Sequence, residues 1–293
     1  MSNKRSRDEA GMDSTSDGPF QSMFETFRVE LDEHHARRER VIKASRDVTA
    51  ASKKIIFSLQ RTRELDQPIS PPIKKTIDPH LDNIKAQYNG ICSDLQGLNA
   101  YRYQSNISGG HQEFMEALSF QYYLENQALI PYETAVSSLN SLVEGANKIT
   151  LTVDDYILGI FDMVGELMRF CITAMASTGK LPARSKPRRS TSKNTLQHSD
   201  RMDVDDGAGD DVGDNEQEGN VLSDLRQLRV ALEALDVPRK SWLENQVRKK
   251  MGVMQTCVEK VEKSLYGLVV RGAERPTGWM PDINEAERLE NRG

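Results

Sequence analysis

From Phe20 to Arg63 the chain contains neither proline nor glycine, and its apolar residues return at steps of three and four. Phe20, Met23, Phe24, Phe27 and Leu31, then Val41, Val48, Ile55, Ile56 and Leu59, trace one side of a single long helix. An apolar stripe that long has to be covered by other elements, which commits the fold to packing around this helix. Pro68, Pro71 and Pro72 then break the chain. A second helix is expected from Pro79 to Leu98, carrying Leu81, Ile84, Tyr88, Ile91 and Leu95. A third is expected from His111, after Gly109-Gly110, to Asn147 with a kink at Pro131. Thr152, with Asp154 and Asp155 behind it, reads as the N-cap of a fourth. Helical periodicity returns at Val221, Leu222, Leu225 and Leu228, and again from Pro238 through Trp242, Val247, Met251, Met254, Val258, Val261, Leu265, Leu268 and Val269. No strand pattern of any length interrupts the series, so the fold class is all-α, an antiparallel helical bundle.

Two acidic pairs stand out within these helices. Glu113 and Glu116 are spaced i,i+3, and Asp162 and Glu166 are spaced i,i+4, so each pair sits on one helix face. Like charges that close repel. On a helical wheel Glu113 and Glu116 continue the arc of Ala117, Phe120, Tyr123 and Leu124, whereas Ser119, Gln121 and Glu125 fall outside it. The helix of the second pair is apolar over nearly its whole circumference, and its charges, Asp162, Glu166 and Arg169, form one line. Buried charge survives only when paired or metal-bound. Two arrangements meet that condition: a divalent cation between the pairs, or a Glu166–Arg169 ion pair with Asp162 at the surface. For a cation, oxygen-only ligation suits Mg²⁺ or Mn²⁺, since zinc would call for His or Cys.

Composition separates a core from its appendages. Hydrophobic residues make up 37% of 293, low for a wholly globular chain. Residues 1–18 are expected to be a disordered N-terminal segment, 19–181 and 221–276 one helical domain, 182–220 a disordered charged insertion, and 277–293 a flexible tail. Inside the insertion a basic block, Arg184 to Lys193, precedes an acidic one, Asp200 to Glu218. The N-terminus lacks the apolar run of a secretory signal. The apolar stretch 157–176 is interrupted by Asp162, Glu166 and Arg169, so it is read as a core helix and no membrane association is expected. Cys92, Cys171 and Cys257 form no paired motif and fit a reducing interior. Short basic runs, Lys4 to Arg7 and Arg184 to Lys193, would suit nuclear import, giving a cytoplasmic and nuclear expectation. The net charge of −5 excludes a global positive field, so any nucleic-acid surface must be local. Along the first helix Arg37, Arg38, Arg40, Lys43, Arg46, Lys53 and Lys54 supply one. Phe114, Tyr122 and Tyr123 are candidate base-stacking aromatics, with Phe114 and Phe120 better read as core. His34 and His35 read as surface residues, and His111 lies off the face of Glu113.

Four separated segments resemble one family. They are residues 39–57, Gln112-Glu-Phe-Met-Glu-Ala-Leu-Ser-Phe-Gln121, Asp155-Tyr-Ile-Leu-Gly-Ile-Phe-Asp-Met-Val-Gly-Glu-Leu-Met-Arg169, and Val261 to Gly272. Together, and in this order, they are similar to the translin family, specifically its members with acidic pairs. The resemblance spans most of 20–181 and 221–276 and departs at 182–220. It implies a fold of about seven helices, assembly with translin into a closed hetero-octamer, and a divalent-metal-dependent endoribonuclease acting on single-stranded RNA. It also implies that Glu113, Glu116, Asp162 and Glu166 are the metal and catalytic residues, with Mg²⁺ as cofactor and Mn²⁺ as a substitute. We assign Glu113, Glu116 and Asp162 to the ion, leaving Glu166 to complete its shell or to act as general base. The rival readings are a non-catalytic single-stranded nucleic-acid-binding or scaffolding subunit, and a dimetal oxidoreductase. The latter ranks last because neither acidic pair belongs to a Glu-x-x-His motif.

Overall fold

The computed structural model describes residues 20–182 and 220–271. The expected N-terminal segment, nearly all of the charged insertion and the tail lie outside these residues. The described chain forms α1 (Gln21–Leu59), α2 (Pro71–Ile91), a 3₁₀ turn (Cys92–Leu95), α3 (Leu98–Arg102), α4 (Gln104–Asn126), α5 (Tyr132–Ser141), α6 (Val153–Thr178), α7 (Val221–Glu233) and α8 (Trp242–Arg271). No β-strand occurs among the described residues, and no helix there is long and apolar enough to cross a membrane.

The helices pack in series: α2 on α1, α1 on α4, α4 on α6, α6 on α8, with α7 laid against α8 and α6. α4 is therefore the middle element, and glycines set its distance to both neighbours. A Cβ on Gly110 would come within 3.0 Å of the Ser45 carbonyl of α1, and one on Gly159 within 2.5 Å of Met115 Cβ. The second contact is closer than real Cβ atoms come and the first is tight against backbone, so hydrogen at these positions favours the close crossings.

The helices depart from the sequence expectations at several points. α1 ends at Leu59, and only its second half is core. Val41, Val48, Ile55, Ile56 and Leu59 are buried, whereas Phe20, Phe24, Phe27 and Leu31 stand exposed because the 39-residue helix outruns its neighbours. α2 begins at Pro71, where the first-turn prolines forfeit no needed donor, and Pro79 is tolerated inside it on the solvent side. The Gly109-Gly110 pair lies inside α4, which stops at Gln127 in a left-handed conformation (φ 44°), so α5 is a separate helix and not the far side of a kink. α8 begins at Trp242, after Pro238, and Val269 on its last turns is exposed. Ser119 is fully buried, its hydroxyl donating back to the Met115 carbonyl at 2.6 Å. The Thr152 cap does form, accepting from the Asp155 N–H at 3.1 Å.

Candidate functional site

α4 contributes Glu113 and Glu116 and α6 contributes Asp162 and Glu166, and all four line one open cleft of about 670 Å³. Lys53, Phe57 and Gln60 of α1, and Lys249, Lys250 and Val253 of α8, complete its walls. The acids meet because Gly159, one turn before Asp162, presses α6 onto α4 beside Gln112 and Met115. Two turns before Asp162 a buried polar cluster pins the same crossing. Asp155 accepts from Gln104 Nε2 at 2.7 Å, from the Ser108 hydroxyl and from Gln112 Nε2 at 3.1 Å, with His111 Nδ1 at 3.6 Å. Burial alone would raise the Asp155 carboxyl, but the His111 ring, Ser108 and Gln112 outweigh it and hold the group below its usual range. His111 is thus a buried structural partner of α6, 1% exposed.

Three of the four acids have cationic partners. Lys53 Nζ stands 3.2 Å from Glu113 Oε1, Lys250 Nζ donates to Asp162 Oδ2, and Arg169 stands 2.9 Å from Glu166 Oε1. Glu166, the most enclosed of them at 6% exposure, also accepts from Gln60 Nε2 at 2.7 Å. The Glu116 carboxylate has no hydrogen-bond or ion-pair partner among the described residues. Burial, reinforced by Asp162, Glu113 and Glu166, pushes its carboxyl up to about 8, against a smaller opposing effect of Lys250. Both sequence alternatives are therefore partly realised: the Glu166–Arg169 pair forms and Asp162 is part-exposed, yet the four acids share one cleft.

The cleft lining holds carboxylates but no His or Cys, a donor set that fits Mg²⁺ or Mn²⁺ and not zinc. A partnerless, half-buried carboxyl among three others is the feature a divalent cation would neutralise. As the side chains stand, no group of three among the described residues is drawn together tightly enough to ligate an ion. Three of the acids are instead paired, each with its own ammonium or guanidinium.

The basic face divides in two. Arg40 makes a two-pronged contact to Asp94, 2.8 Å on each arm, and Arg37 reaches Glu33 and, at 3.6 Å, Asp94. These two tie α1 to the 3₁₀ turn. Arg38 is paired only loosely with Glu39 at 4.0 Å, and Lys53 serves the cleft. Lys43, Arg46 and Lys54 are exposed and fall with Lys53 and Phe57 on one flank of α1, leading to the cleft. The proposed stacking aromatics are spoken for: Phe114 and Tyr123 are 4% exposed, and the Tyr123 hydroxyl donates to Asp224 at 2.6 Å. Tyr122 is part-buried against the core. The exposed aromatic at the cleft is Phe57, 76% exposed, which the sequence reading passed over. Likewise, the His34 ring is part-buried and hydrogen-bonded to the Tyr103 hydroxyl at 2.7 Å. Lys250 was missed too, although a charge at its position interrupts the buried stripe Val247, Met254, Cys257, Val261 of α8, the same signal that singled out the acids.

The family model described as Translin family matches residues 36–272. Translin-associated protein X of Rattus norvegicus is 26% identical over 295 residues, covering 93% of this chain and 86% of its own. The Translin-associated protein X homolog of Schizosaccharomyces pombe is 26% identical over 255 residues, covering 86% and 89%. Among solved structures, the crystal structure of apo-NeC3PO superimposes with a TM-score of 0.50 at 14% identity, covering 82% of this chain and 96% of that one, a likeness of fold.

Proposed function

Since the chain belongs to the translin family, we propose that it is the catalytic subunit of a complex with translin, a divalent-metal-dependent endoribonuclease that cleaves single-stranded RNA. The observation that carries this reading is the convergence of Glu113, Glu116, Asp162 and Glu166, from two helices, in one open cleft where Glu116 has no cationic partner. Glu113, Glu116 and Asp162 would hold Mg²⁺, or Mn²⁺ in its place. Bound there, the ion supplies Lewis-acid stabilisation of charge on the phosphate oxygens and acidifies water. Glu166, with Oε2 fixed by Gln60 and Oε1 shared with Arg169, is an oriented acceptor for the proton of the attacking water. Lys43, Arg46 and Lys54 contact the RNA phosphates on the approach, and the Phe57 ring offers a face to a base.

A second reading, a non-catalytic single-stranded nucleic-acid-binding or scaffolding subunit, is favoured by one observation: three of the four acids are already ion-paired. One experiment separates the two. The chain is purified with translin and given a labelled single-stranded RNA with Mg²⁺ or with chelator. Cleavage only with Mg²⁺ supports the enzyme; binding that is indifferent to chelator, with no cleavage, supports the scaffold.

A further inference from the structure

Lys250 differs from the other cations of the cleft. Lys53 and Arg169 are 64% and 67% exposed and reach their acids from the rim, whereas the Lys250 side chain is 22% exposed and crosses from α8 to Asp162 of α6. Its position on the buried stripe of α8, between Val247 and Met254, aims it inward. Beyond that contact it weakly offsets, without pairing to Glu116, the repulsion that Glu116 feels from the surrounding carboxylates. Its ammonium thus occupies an oxygen of Asp162, one of the acids that would hold a divalent ion in this cleft. A dication on Asp162 would repel an ammonium held at contact distance on the same carboxylate and weaken its hold. A lysine stem is long and flexible, so its ammonium can exchange one oxygen partner for another by rotation alone.

Resting on the functional reading above, we propose that Lys250 is a displaceable counter-ion: its ammonium competes with the divalent ion for Asp162, and on displacement moves to a non-bridging oxygen of the RNA phosphate. The exchange keeps every charge in the cleft partnered. Four carboxylates gain a dication, and the released ammonium meets the new anion that arrives with the substrate. Lys250 would thus lower metal affinity in the absence of RNA and raise RNA affinity in the presence of metal.

These opposite signs are the test. Full-length chain assembled with translin is titrated with Mn²⁺ in the absence of RNA, and then with a 2′-O-methyl oligonucleotide in the presence of Mn²⁺, for wild type, Lys250→Met and Lys250→Arg. Lys250→Met should tighten Mn²⁺ binding about threefold or more, because a competing charge is gone. The same change should weaken oligonucleotide binding about fivefold and lower its salt slope by about 0.7, the loss of one phosphate contact. Lys250→Arg should keep oligonucleotide binding within about twofold, since the charge remains. Lys250→Gln repeats the comparison with a polar stem, so that a packing defect of one substitution does not decide the outcome. Unchanged or weaker Mn²⁺ binding in both uncharged variants overturns the proposal, and unchanged oligonucleotide binding overturns its phosphate half. Failure of the wild type to bind Mn²⁺ would overturn the functional reading together with this one.

Discussion

Gln60 grips Glu166 twice, its Nε2 donating to the carboxylate Oε2 at 2.7 Å and to the backbone carbonyl at 3.0 Å. The residue after α1 thereby fixes the rotamer of an acid on α6. Replacing Gln60 by Leu should leave assembly intact and lower kcat by about 10- to 100-fold, the usual effect of losing a partner that orients a site carboxylate. Single-turnover cleavage against a binding isotherm checks it; an unchanged kcat would show that Glu166 needs no such support.

Glu113→Gln and Asp162→Asn should each abolish cleavage while RNA binding stays within about threefold, because removing a metal ligand takes away the chemistry but few phosphate contacts. Correctly assembled variants cleaving at the wild-type rate would remove these acids from the site.

Glu116 gives the pH dependence. Its carboxyl is raised to about 8 in the folded chain from an ordinary 4.5. Below 4.5 it is protonated in both the folded and unfolded states; between the two values the folded state keeps a proton that the unfolded state has lost. Stability therefore falls as pH rises through that window, and levels off above about 8. Glu116→Gln should remove this fall, gaining ~1–2 kcal/mol over wild type at pH 9 by denaturant titration with chelator present. Mn²⁺ binding by the wild type should strengthen up to about tenfold per pH unit toward pH 8, as the ion displaces one proton. A pH-independent Mn²⁺ affinity would count against Glu116 as a ligand.

The basic face of α1 should respond in two ways. Neutralising Lys43, Arg46 and Lys54 together should flatten the plot of log affinity against log salt by about 2, at ~0.7 per single-strand phosphate contact. Arg40→Ala should leave that slope alone and lower the melting temperature, because Asp94 loses its two-pronged partner. Equal slopes for the triple variant and wild type would place the RNA on another surface.

The helices, and the acids on them, were legible because both obey short periods. A carboxylate on an apolar stripe, as at Glu116 or Glu166, is visible from the residues three and four positions away. Arg40 and Asp94 are 54 positions apart, Gln60 and Glu166 are 106 apart, and no local period announces either pair. The exposed half of α1 was misread for a related reason: Phe24 and Phe27 have perfect helical spacing, but spacing cannot report that neighbouring helices stop short of them. Pro79 and Gly110 were misread as boundaries, since a rule about typical helix interiors does not see a solvent-facing turn or a close crossing.

The ends that flank the charged insertion meet: the Val221 N–H donates to the Pro182 carbonyl at 3.3 Å. A short linker can therefore replace residues 184–218, because loop length enters closure entropy only logarithmically. The deletion should change the melting temperature by less than ~3 °C and leave assembly with translin and Mg²⁺-dependent cleavage intact. A larger shift by calorimetry would show that the segment contributes contacts to the folded domain.

Gly159 has a consequence for reading related chains. With a Cβ at that position 2.5 Å from Met115, α6 would have to withdraw from α4. A relative with alanine there could keep all four acids and still hold the two pairs too far apart to share one ion. If the four acids act together as proposed, counting carboxylates is not enough to tell which relatives share the site; the glycine at the helix crossing, which carries no chemistry at all, belongs to the same signature.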